Sequence, residues 1–248
     1  MPIPIRTASE IALMRESGKR LAEVHHAMRE MVRPGVSTAE INECAERKIA
    51  ELGGIPNFKN YNGFPAAVCI SLNDEVVHGV PSPDRILKEG DIVSLDAGLI
   101  WKGWHSDAAR TWGVGEISDE AKRLIETTRR CFYEGIAKAV YRGHLYDISA
   151  AVEECAERKG FGVVRELTGH GIGRHLHEPP MVPNVRQKGR GLLLVPGMTF
   201  AVEPMVNLGS AEVSFTDEGC VRTEDGLISA HYENTIVITE GEAEILTL

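Results

Sequence analysis

Several features that would place this 248-residue chain in a familiar class are missing from its sequence. No stretch of about 18 apolar residues occurs, so we expect no transmembrane helix. The first ten residues also lack the apolar core of a signal peptide. No run of lysine and arginine stands out in a chain of net charge −9, so neither a nucleic-acid surface nor a basic membrane patch is indicated. The five cysteines are scattered and include no C-x-x-C pair, which favours reduced thiols in a cytoplasmic protein.

Several catalytic signatures are missing as well. No serine stands in a G-x-S-x-G elbow and no Cys/His signature is present, so nucleophilic catalysis has little support. The H-E-P-P stretch beginning at His177 is not the H-E-x-x-H of a thermolysin-like zinc site. The G-H-G-I-G stretch beginning at Gly169 lacks the dinucleotide spacing, because Arg174 stands where the third glycine of G-x-G-x-x-G would be.

What the chain does contain is an ordinary globular mixture, 43% hydrophobic and 25% charged. Capping boxes at Thr7 and Ser37 predict two helices, which end before Arg33 and at Gly53. The remaining pattern predicts helices at 118–141 and 147–159 and strands at 66–72, 75–80, 91–100, 104–114 and 233–239. No linker or low-complexity tract breaks the chain, so we expect a single domain over residues 1–248.

An internal repeat organises this domain. The sequence E-C-A-E-R-K occurs at 43–48 and again at 154–159, and aligning the copies sets Asp96 opposite Glu203. The spacing from Asp107 to a Gly-Glu pair recurs after Glu233. We therefore predict two duplicated halves, roughly 1–116 and 117–248, in an α+β fold. A pseudo-twofold axis would relate the halves, with a central, mostly antiparallel sheet and helices on its outer side.

The acids at the duplicated positions point to metal ions. Asp96 and Glu203 end apolar strands, and Asp107 and Glu233 also stand on strands. A buried charge is costly unless it is paired or bound to a cation, and two divalent ions would balance four carboxylates. His170, between two glycines, is a further candidate ligand. For a single acid an exposed strand edge is the simpler interpretation, and the glycine-rich stretch alone is equally compatible with a turn bearing surface histidines.

Two divalent ions sharing a water form a hydrolytic arrangement. Four carboxylates and one imidazole accommodate cobalt, manganese, iron(II) or zinc, and the sequence does not distinguish among these metals.

Together the set Asp96, Asp107, G-H-G-I-G, E-P at Glu203 and E-N-T at Glu233 closely resembles type I methionine aminopeptidase, of the pita-bread (creatinase/aminopeptidase) fold. The resemblance implies removal of the initiator methionine from nascent proteins when the second residue is small, by a hydroxide that bridges two divalent metals. It implies that Asp96 binds one metal, Asp107 and Glu233 bind both, and His170 and Glu203 bind the other. Glu203 would also move the proton of the bridging water.

The same resemblance assigns the substrate contacts. It implies that His177 contacts the scissile carbonyl and that His78 lines the substrate side of the cleft as a hydrogen-bond or proton partner. The methionine pocket would be formed by Tyr61, Phe64, Cys69 and Leu176, with His78 closing one side. Three positions depart from the family pattern: Leu176 replaces a frequent aromatic residue, Asn234 a frequent histidine, and Gly219-Cys220 a usual tryptophan.

Two alternatives stay open at this point. One is an Xaa-Pro aminopeptidase or dipeptidase on the same fold, and the other is a peptide-binding member that has lost catalysis. The first helix begins within ten residues, leaving no room for the additional domain of prolidase, and the 32 residues between His170 and Glu203 leave no space for the type II insertion. We therefore expect the short bacterial form without an N-terminal extension. It would be a cytoplasmic monomer that acts on the N-terminal peptides of nascent polypeptides, with transient ribosome association.

Overall fold

The computed structural model describes residues 3–217 and 219–248. Within these residues the helices are α1 (Ala8–Met31), α2 (Thr38–Glu51), α3 (Asp119–Ile136) and α4 (Leu145–Glu157), with a short 3₁₀ turn at Tyr61–Gly63. The strands in the same part of the chain are β1 (Ile55–Pro56), β2 (Val68–Leu72), β3 (Glu75–Val77), β4 (Ile92–Trp101), β5 (Trp104–Gly113), β6 (Gly162–Val163), β7 (Thr168–Gly171), β8 (Glu178–Pro183), β9 (Thr199–Val202), β10 (Met205–Asn207), β11 (Val213–Phe215), β12 (Val221–Thr223), β13 (Ser229–His231), β14 (Glu233–Val237) and β15 (Glu244–Ile245).

Both predicted capping boxes are confirmed. The Thr7 hydroxyl accepts a hydrogen bond from the Glu10 backbone N–H, and the Glu10 carboxylate accepts one from the Thr7 N–H. Ser37 and Glu40 make the same reciprocal pair at the start of α2. These contacts satisfy backbone donors that the first helical turn leaves unpaired. Because the residues that make them can be recognised in the sequence, both helix starts could be predicted.

The second helix pair has different ends from those predicted. Helix α3 stops at Ile136 instead of continuing to residue 141, because the chain tightens there into turns in which the Lys138 N–H donates to the Gly135 oxygen and the Ala139 N–H to the Ile136 oxygen. Helix α4 begins at Leu145, two residues early, because Asp147 is not its first residue but the acid that accepts a hydrogen bond from the His144 N–H. The third residue after the N-cap is the expected position for an acid that accepts this hydrogen bond.

The central sheet is antiparallel throughout. Among the described residues it has nine strands in the order β1-β4-β5-β14-β9-β7-β8, with β2 also paired to β4 and β15 to β14. The order is symmetric about the β5–β14 pair, since the hairpin β4–β5 on one side matches β14–β9 on the other. We propose that residues 1–116 and 117–248 are the two halves of this arrangement.

Both helix pairs cover one face of this sheet, as expected. Leu21 and Met28 of α1 pack with Leu95 of β4. In the same way, Phe132 of α3 and Ile148 of α4 pack with residues of strands β9 and β14. Two additional three-stranded sheets, β13-β10-β6 and β11-β12-β3, were not predicted as separate units. Among the residues described, none of the helices combines the length and the apolar character needed to cross a membrane.

Candidate metal centre and cleft

The strand register puts the predicted carboxylate ligands on the face of the sheet opposite the helices. Ala109 of β5 is paired with Asp96 on one side and with Glu233 on the other. Cross-strand partners project to the same face, and so do residues two apart on one strand. Asp96, Glu233 and Asp107 therefore share a face, while Leu95 points to the helices.

The other two predicted ligands join the same face from β7 and the end of β9. Val202 is paired with Asn234, so the next residue, Glu203, lies beside Glu233. His170 is paired with Ala201, two residues before Glu203. The resulting distances are short: His170 Nε2 lies 3.5 Å from Glu203 Oε1 and 3.9 Å from Asp107 Oδ2. One ligand atom from each of Asp107, His170 and Glu233 lies within 4.8 Å of the others.

The four acids are buried and repel one another when they are ionised. Burial raises the pKa of Asp96 to about 8. Burial, and after it the charges of neighbouring acids, raises the pKa of Asp107, Glu203 and Glu233 well above the usual range. One oxygen of each of Asp96, Asp107 and Glu233 is buried without a hydrogen-bond partner in the described part of the chain. A cluster of this kind fits divalent cations, which would supply the missing partners and offset the repulsion.

His170 is prepared to act as a ligand. Its Nδ1–H donates to the backbone oxygen of Gly171 over 2.9 Å, so the lone pair of Nε2 faces the acids. Burial lowers the pKa of its ring to about 3, which keeps the imidazole neutral. A second hydrogen bond that fixes the tautomer is typical of metal-binding histidines.

The glycines on either side of His170 have a specific steric role. A Cβ at Gly169 would lie 2.3 Å from the Ala201 oxygen, and one at Gly171 would lie 2.4 Å from the Pro179 oxygen. The neighbouring strands therefore approach too closely for any side chain. This close approach, more than the conformational freedom anticipated from the sequence, explains the glycines.

A cavity of about 480 Å³ opens above the acids. It brings together every substrate residue predicted from the sequence: Tyr61, Phe64, Cys69, Leu176, His78 and His177. Phe58 and Met205 line it as well and were not predicted, the first because the resemblance assigned only Tyr61 and Phe64 of that loop and the second because a core methionine gives no distinguishing signal. Cys69 is paired with Asp96 across β2 and β4, so the apolar part of the cavity directly adjoins the acids.

Two histidines stand over the acids from different loops. The ring centroids of His177 and His170 are 4.2 Å apart, and the Tyr61 hydroxyl lies 2.7 Å from His177 Nδ1. His78 directly follows β3 and adopts a φ of +62°, a conformation that is unusual for a residue with a side chain. That backbone turn ends β3 at Val77, three residues before the predicted end, and aims the imidazole into the cavity.

The loop carrying His177 is fixed from outside the cleft. One oxygen of Glu178 accepts hydrogen bonds from the backbone N–H groups of Arg174 and His175, at 2.7 and 3.0 Å. The other oxygen pairs with the guanidinium of Arg6, and both side chains are more than nine-tenths buried. The segment before α1 thereby holds the loop in place.

Asn234 and Gly219-Cys220 are two of the positions that depart from the family pattern. The Asn234 side chain points to the helix face, where its oxygen accepts hydrogen bonds from Arg110 and from Thr247. Gly219 lines the cleft and Cys220 is buried next to it. Leu176, the third such position, is buried in the wall of the cavity. Of these positions, Gly219 and Leu176 line the cavity and can contact a bound substrate, whereas Asn234 lies on the opposite face of the sheet.

A fourth histidine at the site, His231, was not predicted from the sequence. Its Nε2 lies 3.9 Å from Glu203 Oε2 and 4.0 Å from Glu233 Oε2, and the side chain is 1% exposed. The available signal was its position two residues before Glu233, which in an extended segment gives the same face.

Known proteins resemble the chain over its whole length. The model of metallopeptidase family M24 matches residues 12–240. Methionine aminopeptidase from Clostridium perfringens is 50% identical over 247 residues, which are 99% of each chain. The crystal structure of methionine aminopeptidase from Rickettsia prowazekii superposes with a TM-score of 0.97 at 39% identity, covering 100% of both chains. An Xaa-Pro dipeptidase from Bacillus anthracis gives a TM-score of 0.80 at 26% identity, and the match covers 98% of this chain and 61% of that one.

Proposed function

Because this chain belongs to metallopeptidase family M24, we propose that it is a methionine aminopeptidase of type I, which removes the initiator methionine when the second residue is small. The observation that carries this proposal is the full-length similarity to methionine aminopeptidases, together with a cluster of acids and one imidazole at the base of an apolar cleft. The fold is the expected pita-bread fold, and the resemblance noted from the sequence is confirmed.

Metal dependence follows from the family, and we propose two divalent ions, of cobalt, manganese, iron(II) or zinc. Asp96 would hold one ion, His170 and Glu203 the other, and Asp107 and Glu233 both. The unpaired buried oxygens and the neutral His170 support this assignment. When bound, such a pair activates a water for attack and polarises the scissile carbonyl.

The surrounding residues position the substrate and move the protons. Glu203 accepts the proton that the attacking water gives up and passes it to the leaving amine nitrogen as the C–N bond breaks. The Tyr61 hydroxyl lies within hydrogen-bond distance of His177 Nδ1, so with Nδ1 as the acceptor His177 would carry its proton on Nε2 and donate a hydrogen bond to the carbonyl oxygen. His78 lines the opposite wall and orients the substrate by a hydrogen bond.

The apolar part of the cavity suits a methionine side chain. Phe64, Cys69 and Leu176 line it, and Tyr61 forms part of its more exposed edge. A thioether gains dispersion and sulfur–aromatic contacts in such a pocket. Burying the side chain there would contribute about 2–3 kcal/mol of binding free energy.

The test is a comparison of two peptides, Met-Ala-Ser and Ala-Pro-Ala, after chelation and again after cobalt or manganese is restored. Release of methionine from the first peptide only, and only with metal, is the expected result. Cleavage of the proline peptide would support the Xaa-Pro alternative. The Xaa-Pro dipeptidase from Bacillus anthracis is only 26% identical to this chain, which does not favour that outcome. A metal-loaded protein that binds both peptides and cleaves neither would indicate the non-catalytic alternative. Glu203→Gln is the matched inactive control.

The setting of the reaction is a further proposal. We propose a cytoplasmic monomer that meets nascent chains during transient association with the ribosome, because initiator methionines first become accessible there. Size-exclusion chromatography with light scattering would test the monomer, and cosedimentation with translating ribosomes would test the association.

A further inference from the structure

His231 is buried with no assigned task in the reaction. Its side chain is 1% exposed, and neither ring nitrogen has a hydrogen-bond partner within residues 3–217 and 219–248. A buried polar group without a partner destabilises a fold by about 1–3 kcal/mol, so such a group commonly serves a purpose. The ring therefore needs an explanation that the packing around it does not supply.

The direction of the ring supplies that explanation. Nε2 faces Glu203 Oε2 at 3.9 Å and Glu233 Oε2 at 4.0 Å. The two oxygens of Glu203 are thus divided between two imidazoles, since Oε1 faces His170 Nε2 at 3.5 Å. His170 approaches from the cavity, whereas His231 does not line it. His231 accordingly reaches the carboxylates from behind the proposed metal site.

Hydrogen bonds on both sides fix the backbone that carries the His231 ring. Strand β13 pairs with β10, with His231 opposite Met205. The His231 N–H donates to the Thr111 hydroxyl over 2.9 Å, and that hydroxyl lies 2.9 Å from the His231 oxygen. Thr111 is in turn 2.8 Å from the hydroxyl of Ser94. A network linking β4, β5 and β13 therefore sets the height of the imidazole above the sheet.

From this geometry we propose that His231 is a positioning residue, whose Nε2–H donates to the Glu203 and Glu233 carboxylates and selects the oxygens that they present to metal. The separations of 3.9 and 4.0 Å are longer than a hydrogen bond, and a small rotation of either carboxylate closes them. Contacts of this kind commonly tighten when the site is filled. The inference rests on the proposed metal-binding role of these two acids.

The direct test measures metal affinity and not only turnover. His231→Leu keeps much of the side-chain volume but removes the donor, whereas His231→Gln places an amide N–H at about the reach of Nε2. We expect the Leu variant to bind cobalt about 10- to 100-fold more weakly with unchanged stoichiometry, as found when partners of metal ligands are removed. Its cobalt absorption spectrum should change, and the Gln variant should restore both affinity and spectrum.

Two results would overturn the proposal. Wild-type affinity in the Leu variant would make His231 a packing residue, and loss of one bound ion would make it a direct ligand. If the Leu variant does not fold, His231→Asn replaces it, because the Asn amide reaches only as far as Nδ1. Equal affinities of the Asn and Gln variants would then contradict the proposal. Metal binding without peptide cleavage by the wild-type protein would refute the proposed function and leave the His231 test valid.

Discussion

The two faces of the central sheet are made from alternate residues of the same strands, yet they differ in kind. On β4, Leu95 packs among the residues of α1 and α2, whereas the next residue, Asp96, has a buried oxygen without a partner among the described residues. On β14, Ile236 packs in a hydrophobic cluster with Phe132 of α3 and Ile148 of α4, whereas Glu233 carries an unpaired buried oxygen on the other face. The helix face stabilises the fold, whereas the repelling acids of the cleft face should destabilise it unless cations are bound.

The largest effect should come from a change on the cleft face that removes chemistry and spares the fold. Glu203→Gln keeps the shape of the side chain but cannot accept a proton, so we expect kcat to fall by about 10²- to 10⁴-fold. One ion should also bind more weakly. Peptide hydrolysis stopped at fixed times gives kcat, and calorimetric titration gives the metal affinity. Turnover near that of the wild-type protein would remove Glu203 from its proposed role.

A change on the helix face should have the opposite signature. Leu95→Ala leaves a cavity in a fully buried cluster and should lower the free energy of unfolding by about 2–5 kcal/mol. Metal affinity should stay close to that of the wild-type protein. The matched control is Asp96→Asn, which should weaken metal binding and yet leave the metal-free protein at least as stable, because an amide is neutral at every pH and folding no longer requires the buried carboxyl to take up a proton. Denaturant titrations of both variants test this contrast.

His177→Ala separates catalysis from metal binding within the cleft. The imidazole contacts the His170 ring edge to face but is not a proposed ligand, so both ions should remain bound. Loss of one hydrogen-bond donor to the carbonyl oxygen should lower kcat by about 10²-fold. Metal analysis of the purified variant is the decisive measurement, and a missing ion would show that His177 belongs to the ligand set.

The smallest effect concerns pH and the metal-free protein. The pKa of Asp96, raised to about 8 by burial, means that the folded state holds a proton that the unfolded chain has lost, so stability falls as pH rises towards 8. Burial lowers the pKa of His25, His170 and His231 to about 3, so their contribution is lost as pH falls below about 6.5.

Asp96 alone should therefore lower the stability of the metal-free protein by about 1–2 kcal/mol between pH 6.5 and pH 8. With metal bound the acids stay ionised, and this loss should disappear. Thermal unfolding with and without chelator, in a series of buffers, checks the difference. An identical pH profile in both forms would mean that the acids are not the groups responsible.

The sequence predicted the acids of the cleft face better than the ends of the helices on the other face. Acids within apolar strands are conspicuous, so the four carboxylates of the cleft face could be identified from the residue pattern alone. His231 could not, because its strand of three residues has no readable period and a lone histidine is usually core. The ends of α3 and α4 were wrong for a related reason: the turns that follow Ile136 and the capping role of Asp147 are not marked by the apolar period.

Ala109 lies between Asp96 and Glu233, paired with both. Adjacent strands are about 4.8 Å apart, so the backbones of the two acids are separated by about twice that distance and their side chains meet over a single methyl group. Backbone hydrogen bonding therefore sets the separation of the two acids, which makes that separation insensitive to most substitutions in the core. Position 109 is the exception, since one added methylene there would enter the space between the ligands.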